Sequence, residues 1–172
     1  MSVLTDEPFF HGSLADLEAA RRSVTLPLLR KDFVLDAYQV VEARVFGADA
    51  VLLIAAVLAD AELKSLAQLA DDLGLTALVE VHDARELDRA LVVAPRVLGV
   101  NHRDLLTFKM RMELFAELAP RIPKGVVTVA ESGIKTREDL ARIVDAGGDA
   151  VLVGETLVKA QQPGLKLKEL LA

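Results

Sequence analysis

Polar residues able to do chemistry recur where apolar runs of this sequence end. Lys31 follows the run Pro27-Leu28-Leu29. An ammonium aimed into a mouth lined by apolar groups is partly desolvated, which lowers its pKa towards a useful general-acid range. The competing reading is a plain salt bridge, but two carboxylates placed in the same way, Glu80 and Glu131, favour catalysis. Glu80 sits inside Leu78-Val79-Glu80-Val81, where a carboxylate is costly without a cation, so it is expected to face Lys31. Asn101, Arg103 and Asp104 follow Leu98-Gly99-Val100. They offer an amide, a fork for a carboxylate or phosphate, and a capping or counter-charge group, with an Asn-Asp turn as the plainer reading. Ser132-Gly133 and Gly154-Glu155 let backbone N–H groups approach an anion, although glycine turns alone carry little weight. His102 points away from its neighbours if the segment is extended and is expected at the surface, as are His11 and His82. Three histidines in three separate loops lack metal-ligand spacing, so no metal is expected, and nothing calls for an organic cofactor.

The elements that must position these groups are legible as a repeat. Short apolar runs occur at Ser2 to Thr5, Leu26 to Arg30, Ala50 to Ile54, Ala77 to Val81, Val97 to Val100, Val126 to Ala130 and Ala150 to Val153. Several are β-branched and barely alternate, as in parallel strands covered on both faces. Helix-period segments lie between them, near 14–23, 36–46, 60–73, 83–91, 112–118, 136–146 and 165–171. Ser13 with Asp16, Asp83 with Glu86 and Thr136 with Asp139 resemble capping pairs, and Gly74 ends the helix that starts near Asp60. Right-handed crossovers between such units build either a doubly wound sheet or a barrel. No Gly-x-Gly-x-x-Gly and no Walker loop is present, which weakens the nucleotide-binding folds and favours a (β/α) barrel over residues 1–172 as one domain. In such barrels chemistry sits at the C-terminal strand ends. Six of the seven run ends are polar; only Ala55-Ala56 is not.

Composition narrows the partners. The 172 residues carry 20 basic and 26 acidic side chains, 20 − 26 = −6, too anionic to grip nucleic acid or an acidic membrane. Hydrophobic residues make up 52%, enough for a sizeable core, yet no run approaches the roughly 20 apolar residues of a membrane span. The N-terminus lacks a basic and apolar leader, which reads as cytoplasmic. With no cysteine, thiol nucleophiles and disulfide frameworks are excluded, and 4% aromatics argue against a base-stacking platform. Small molecules or other proteins are the expected partners, and the two glycine turns make a phosphorylated small molecule a candidate.

Several segments together carry a resemblance: Ser2 to Ser13, Leu29-Arg30-Lys31-Asp32-Phe33, Leu78 to Asp83, Gly99-Val100-Asn101-His102-Arg103-Asp104-Leu105, Val129 to Ile134 and Leu152 to Leu157. In order and over essentially the whole chain, they resemble the indole-3-glycerol-phosphate synthase family. That resemblance implies a (β/α)8 barrel of tryptophan biosynthesis that closes the indole ring of 1-(2-carboxyphenylamino)-1-deoxyribulose 5-phosphate, losing carbon dioxide and water. It implies that Lys31 acts as an acid towards the substrate's carbonyl or departing hydroxyl. Glu80 takes part in acid–base chemistry, Asn101 and Glu131 complete the catalytic set, and Arg103 and Ser132 bind substrate, Arg103 near its carboxylate. Gly133, Gly154 and Glu155 fall in the phosphate-holding backbone.

One family feature is unmatched: the first strand, which in the family bears a glutamate and a second lysine. The expectation is therefore seven of eight β/α units, family strands two to eight, and severe impairment of the chain alone. The first and last strands would expose edges, leading to a homo-oligomer, a complementing N-terminal fragment, or closure as a seven-stranded barrel. Two other functions compete: a catalytically impaired scaffold that retains phosphate-ligand binding, and a phosphosugar isomerase of the same pathway.

Overall fold

The computed structural model describes residues 1–172. Seven strands pair in chain order and all run parallel: β1 (Ser2–Leu4), β2 (Leu29–Lys31), β3 (Ala50–Ile54), β4 (Thr76–Val81), β5 (Val97–Asn101), β6 (Val127–Glu131) and β7 (Ala150–Leu152). Helices α1 (Glu7–Phe10), α2 (Leu14–Ser23), α3 (Ala37–Val45), α4 (Asp60–Asp72), α5 (Ala84–Val92), α6 (Leu114–Leu118), α7 (Arg137–Asp145), α8 (Glu155–Val158) and α9 (Pro163–Leu171) alternate with the strands. The start signals act as expected. Ser13, Asp83 and Thr136 accept from the backbone N–H groups of Asp16, Glu86 and Asp139, and Gly74 takes φ +70 just after α4.

Two differences from the sequence reading have local causes. The second strand begins at Leu29, not Leu26, because Pro27 has no N–H to give and the Leu28 N–H goes to the Asp49 carboxylate at 2.8 Å. That shift makes Lys31 the last residue of the strand. Helices α1 and α8 and the 3₁₀ turn Ala119–Arg121 lie in stretches where no helix was expected; each is too short to show a period.

The sheet is curled. Neighbouring strands lie about 4.8 Å apart, so β2 and β6, four positions apart, would be about 19 Å apart if the sheet were flat. Lys31 Nζ nevertheless lies 3.0 Å from Glu131 Oε2. Strand alternation then sorts the core into two layers. Leu29, Leu52, Ile54, Leu78 and Val129 fill the concave side, while Val51, Leu53, Val79, Leu98, Val100 and Ala130 pack outward under the helices. β1 pairs only with β2 and β7 only with β6, so the sheet does not close as a seven-stranded barrel. Leu4 at one free edge and Ala150 at the other remain exposed.

Candidate active site

Register determines which side chains meet. Inward positions two apart on β4, β5 and β6 give Leu78 and Glu80, Gly99 and Asn101, and Val129 and Glu131. Glu80 is paired across the ladder with Gly99, and Asn101 with Glu131, which places three polar side chains side by side above an aliphatic floor. Lys31 arrives from β2. Its ammonium donates to Glu80 Oε2 at 3.2 Å and to Glu131 Oε2 at 3.0 Å, and the Asn101 amide donates to Glu80 Oε1 at 3.1 Å. The four candidate catalytic residues thus form one cluster.

Gly99 makes the room. A Cβ there would come within 2.2 Å of Glu131 Oε1, so any larger residue would drive that carboxyl out of its place. Glu131 Oε1 itself is buried and has no hydrogen-bond partner. On the wall beside Lys31, Phe33 packs against the concave core and carries Phe9 edge-on at 5.8 Å and Phe10 stacked at 6.1 Å.

The ionisation pattern departs from expectation at Lys31. Burial acts to lower its pKa, but the charges of Glu80 and Glu131 outweigh burial and raise it. Burial alone would raise Glu80 as well; the His82 contact, the Lys31 charge and the Asn101 amide reverse that and hold it well below the usual carboxylate range. Glu131 behaves oppositely. Burial and the adjacent Glu80 charge push it up to about 8 against the pull of Lys31.

The surface expectation fails for two histidines. His82 is buried, with Nδ1 at 3.0 Å from Glu86 Oε2 and Nε2 at 3.2 Å from Glu80 Oε1, the latter close but not aligned as a hydrogen bond. Being two residues beyond Glu80, it shares the inward face of β4, a period-two signal present in the sequence. His102 is also buried, at 1% exposure. It does point away from Asn101, but the outward side there is covered: the Arg111 N–H bonds the His102 carbonyl and the ring Nδ1 meets the Ser132 carbonyl at 2.9 Å. His11 is exposed, as expected.

The other predicted residues gather at the adjoining loops. Arg103 reaches across to Glu155 at 2.8 Å, leaving its buried Nε without a partner. Lys159 and then Arg103 hold Glu155 down to about 2, so its carboxylate is engaged and what it offers an anion is its backbone. Ser132 and Gly133 take φ +66 and +79, and a Cβ on Gly133 would lie 2.5 Å from Met110 Cε and Met112 Sδ. The N–H groups of Gly133 and Gly154 bond to nothing within the chain. No group of three or more His, Asp and Glu side chains is arranged to hold a metal ion.

Known proteins resemble this chain in sequence and in fold. The sequence profile described as indole-3-glycerol phosphate synthase matches residues 1–170. Indole-3-glycerol phosphate synthase of Carboxydothermus hydrogenoformans is 49% identical over 173 aligned positions, covering 100% of this chain and 66% of the relative. That of Kineococcus radiotolerans is 52% identical over 172, covering 100% and 63%. The chain therefore spans a little under two thirds of the length of the relatives it matches. In fold it is similar to 3-hexulose-6-phosphate synthase from Salmonella typhimurium, with a TM-score of 0.81 at 14% identity over 98% of this chain and 83% of that one. A chain of the tryptophan synthase complex from Pyrococcus furiosus gives 0.70 at 17% identity over 92% and 72%. Low identity restricts those two likenesses to architecture, that of a TIM-type barrel with seven of its eight β/α units present. The match over almost every residue has a further consequence: this chain belongs to the indole-3-glycerol phosphate synthase family.

Proposed function

We propose that residues 1–172 carry the ring-closing centre of an indole-3-glycerol phosphate synthase, acting on 1-(2-carboxyphenylamino)-1-deoxyribulose 5-phosphate. The observation that carries this reading is the contact of one ammonium with two carboxyl groups from strands β2, β4 and β6 at one rim. Ring closure joins the carboxylate-bearing aryl carbon to the ketone carbon, and the ketone oxygen takes up a proton. Carbon dioxide then leaves, returning its electron pair to the aromatic ring. Finally the hydroxyl departs as water with one proton while a second proton is removed from the new ring. Lys31 is suited to the donor steps. Although its pKa is raised, a developing alkoxide is a much stronger base than an amine, so donation remains favourable. Glu80 and Glu131 both lie within hydrogen-bond distance of it, so a carboxyl is at hand to pass protons to and from the ammonium. Phe33 offers an apolar wall to the aryl ring, and the Arg103 Nε a donor to a carboxylate. The unbonded N–H groups of Gly133 and Gly154 suit a phosphate. A cytoplasmic location fits such a biosynthetic step; no helix is long and apolar enough to cross a membrane.

The free edges of β1 and β7 favour a second component of this reading. A further strand, from a segment outside residues 1–172 or from a second copy, completes the rim between them. Incubation with the carboxyphenylamino substrate, with and without a peptide bearing the family's first strand, tests both ideas. Product is expected, increased by the peptide and strongly reduced by Lys31→Ala. Phosphate binding without turnover in either mixture would support the scaffold reading instead, and a monomer by light scattering would remove the second copy.

A further inference from the structure

Glu80 and Glu131 compete for the same ammonium, yet their surroundings differ. Glu80 has Lys31 at 3.2 Å, the Asn101 amide at 3.1 Å and His82 Nε2 at 3.2 Å. Glu131 has Lys31 alone, and its second oxygen is buried and bare beside Gly99. A bare buried oxygen costs much less on a neutral carboxyl than on a carboxylate. Two neighbouring carboxyls that cannot both ionise cheaply divide one proton between them, and the better-solvated member loses it.

His82 tips that division. Both of its ring nitrogens face carboxylate oxygens, Glu86 on one side and Glu80 on the other, and Glu86 also accepts the His82 backbone N–H at 2.7 Å. A neutral imidazole would turn a lone pair towards one of those anions, whereas the imidazolium presents an N–H to Glu86 and its positive charge to Glu80. The charged groups around it come from three elements besides its own: Glu86 on α5, Asp104 in the loop after β5, and Lys31 on β2 beyond Glu80. The acidic ones among them all favour the cation.

We propose that His82 is a positioning residue: an imidazolium clamped between Glu86 and Glu80, it keeps Glu80 ionised as the fixed counter-charge of Lys31 and so leaves Glu131 as the carboxyl that holds and exchanges the proton. This deepens the function proposed above and rests on it only for the use to which that proton is put. The linear array Glu86, His82, Glu80, Lys31, Glu131 alternates in sign and ends on the neutral member. In it, Glu80 is too well compensated to serve as a base at neutral pH, and acid–base exchange with Lys31 falls to Glu131.

A pH titration of the whole chain by NMR tests this without substrate. With three histidines in the sequence, the imidazole signals are readily separated. In the unmodified chain His82 is expected to stay protonated until about pH 9. The Glu131 carboxyl carbon should titrate near pH 8, and the Glu80 carboxyl carbon should stay flat from pH 5 to 9. In His82→Gln, the Glu80 signal acquires a share of that step, while in His82→Lys, which restores a cation, it becomes flatter again. Glu86→Gln, which leaves Glu80 untouched, lowers the His82 midpoint by about one pH unit, the scale of a single close charge. A His82 midpoint near that of a free imidazole, or a Glu80 signal equally flat with and without His82, would overturn the inference. Because these readouts need no turnover, a chain that makes no product but titrates as described defeats the proposed function and leaves the role of His82 standing.

Discussion

Two buried ionic clusters grow from consecutive residues of β2 and meet opposite fates. Lys31 turns inward to the cluster at the rim, while Arg30 and Asp32 turn outward beneath α3. There Arg30 donates to Asp32 at 2.8 Å and to the Gln39 carbonyl at 2.8 Å, lies 2.9 Å from Glu42, and shares Thr5 with Asp32. No side-chain nitrogen or oxygen of that outer cluster is buried without a partner. The inner cluster is different. Glu131 Oε1 and His82 Nε2 are buried and lack hydrogen bonds. A satisfied network fixes a strand, whereas an unsatisfied one retains bonding capacity for something else. Burial and charge alone do not separate the structural from the chemical; unfilled valence does.

Substitutions on β2 should split along this line. Lys31→Ala is expected to lower indole-3-glycerol phosphate formation about a thousandfold, within the usual range for a proton donor, with a smaller change in the urea midpoint because His82 and the Asn101 amide still compensate Glu80. Arg30→Ala should do the reverse, lowering unfolding free energy by about 3–5 kcal/mol because Asp32 and Glu42 lose their cation. Equal stability losses for both would erase the distinction. Gly99→Ala probes the inner cluster from beneath. The added methyl displaces the Glu131 carboxyl, and turnover should fall about 10- to 100-fold, whereas Gly74→Ala, whose Cβ meets nothing within 4 Å, should leave turnover intact although it strains the end of α4.

The most gradual expected effect, small per pH unit, is the pH dependence of stability. His82 at about 9 and Glu131 at about 8 lie above their ordinary values, so the folded chain binds more protons than the unfolded one. Stability from these groups is complete below the ordinary carboxyl range for Glu131 and below about 6.5 for His82. It is lost as pH rises through 8 and 9, at no more than about 1.4 kcal/mol per proton per pH unit. Glu131→Gln should flatten that decline between pH 5 and 8. An unchanged slope would place the proton elsewhere.

The strands and the rim were largely legible in the sequence because apolar runs and helix caps are local signals. Lys31, Glu80, Asn101 and Glu131 stood out because each breaks or ends such a run. His82 and Gly99 did not, for separate reasons. A histidine near a helix start looks like a surface cap until it is counted two places from Glu80. A glycine in a strand shows its purpose only when the neighbouring strand's register puts a carboxyl in the space it vacates. The rise at Lys31 was likewise illegible, since its sign depends on how closely the carboxylates 49 and 100 residues further on approach and whether their charges outweigh burial. His102 was misread because the turn that covers it, closed by the bridge of Arg103 with Met110, has no periodic signature.

The triplet Arg30-Lys31-Asp32 also guards the threading of its own strand. Should β2 slide by one position against β1 and β3, the guanidinium and its aspartate would leave Thr5 and Gln39 for the aliphatic hollow, and the ammonium would turn under α3 with Glu42 alone in place of its two carboxyls. Each misplacement strands a charge, so slipped sheets gain little from collapsing. The residue pattern that equips this strand for chemistry therefore doubles as proofreading of its alignment while the chain folds.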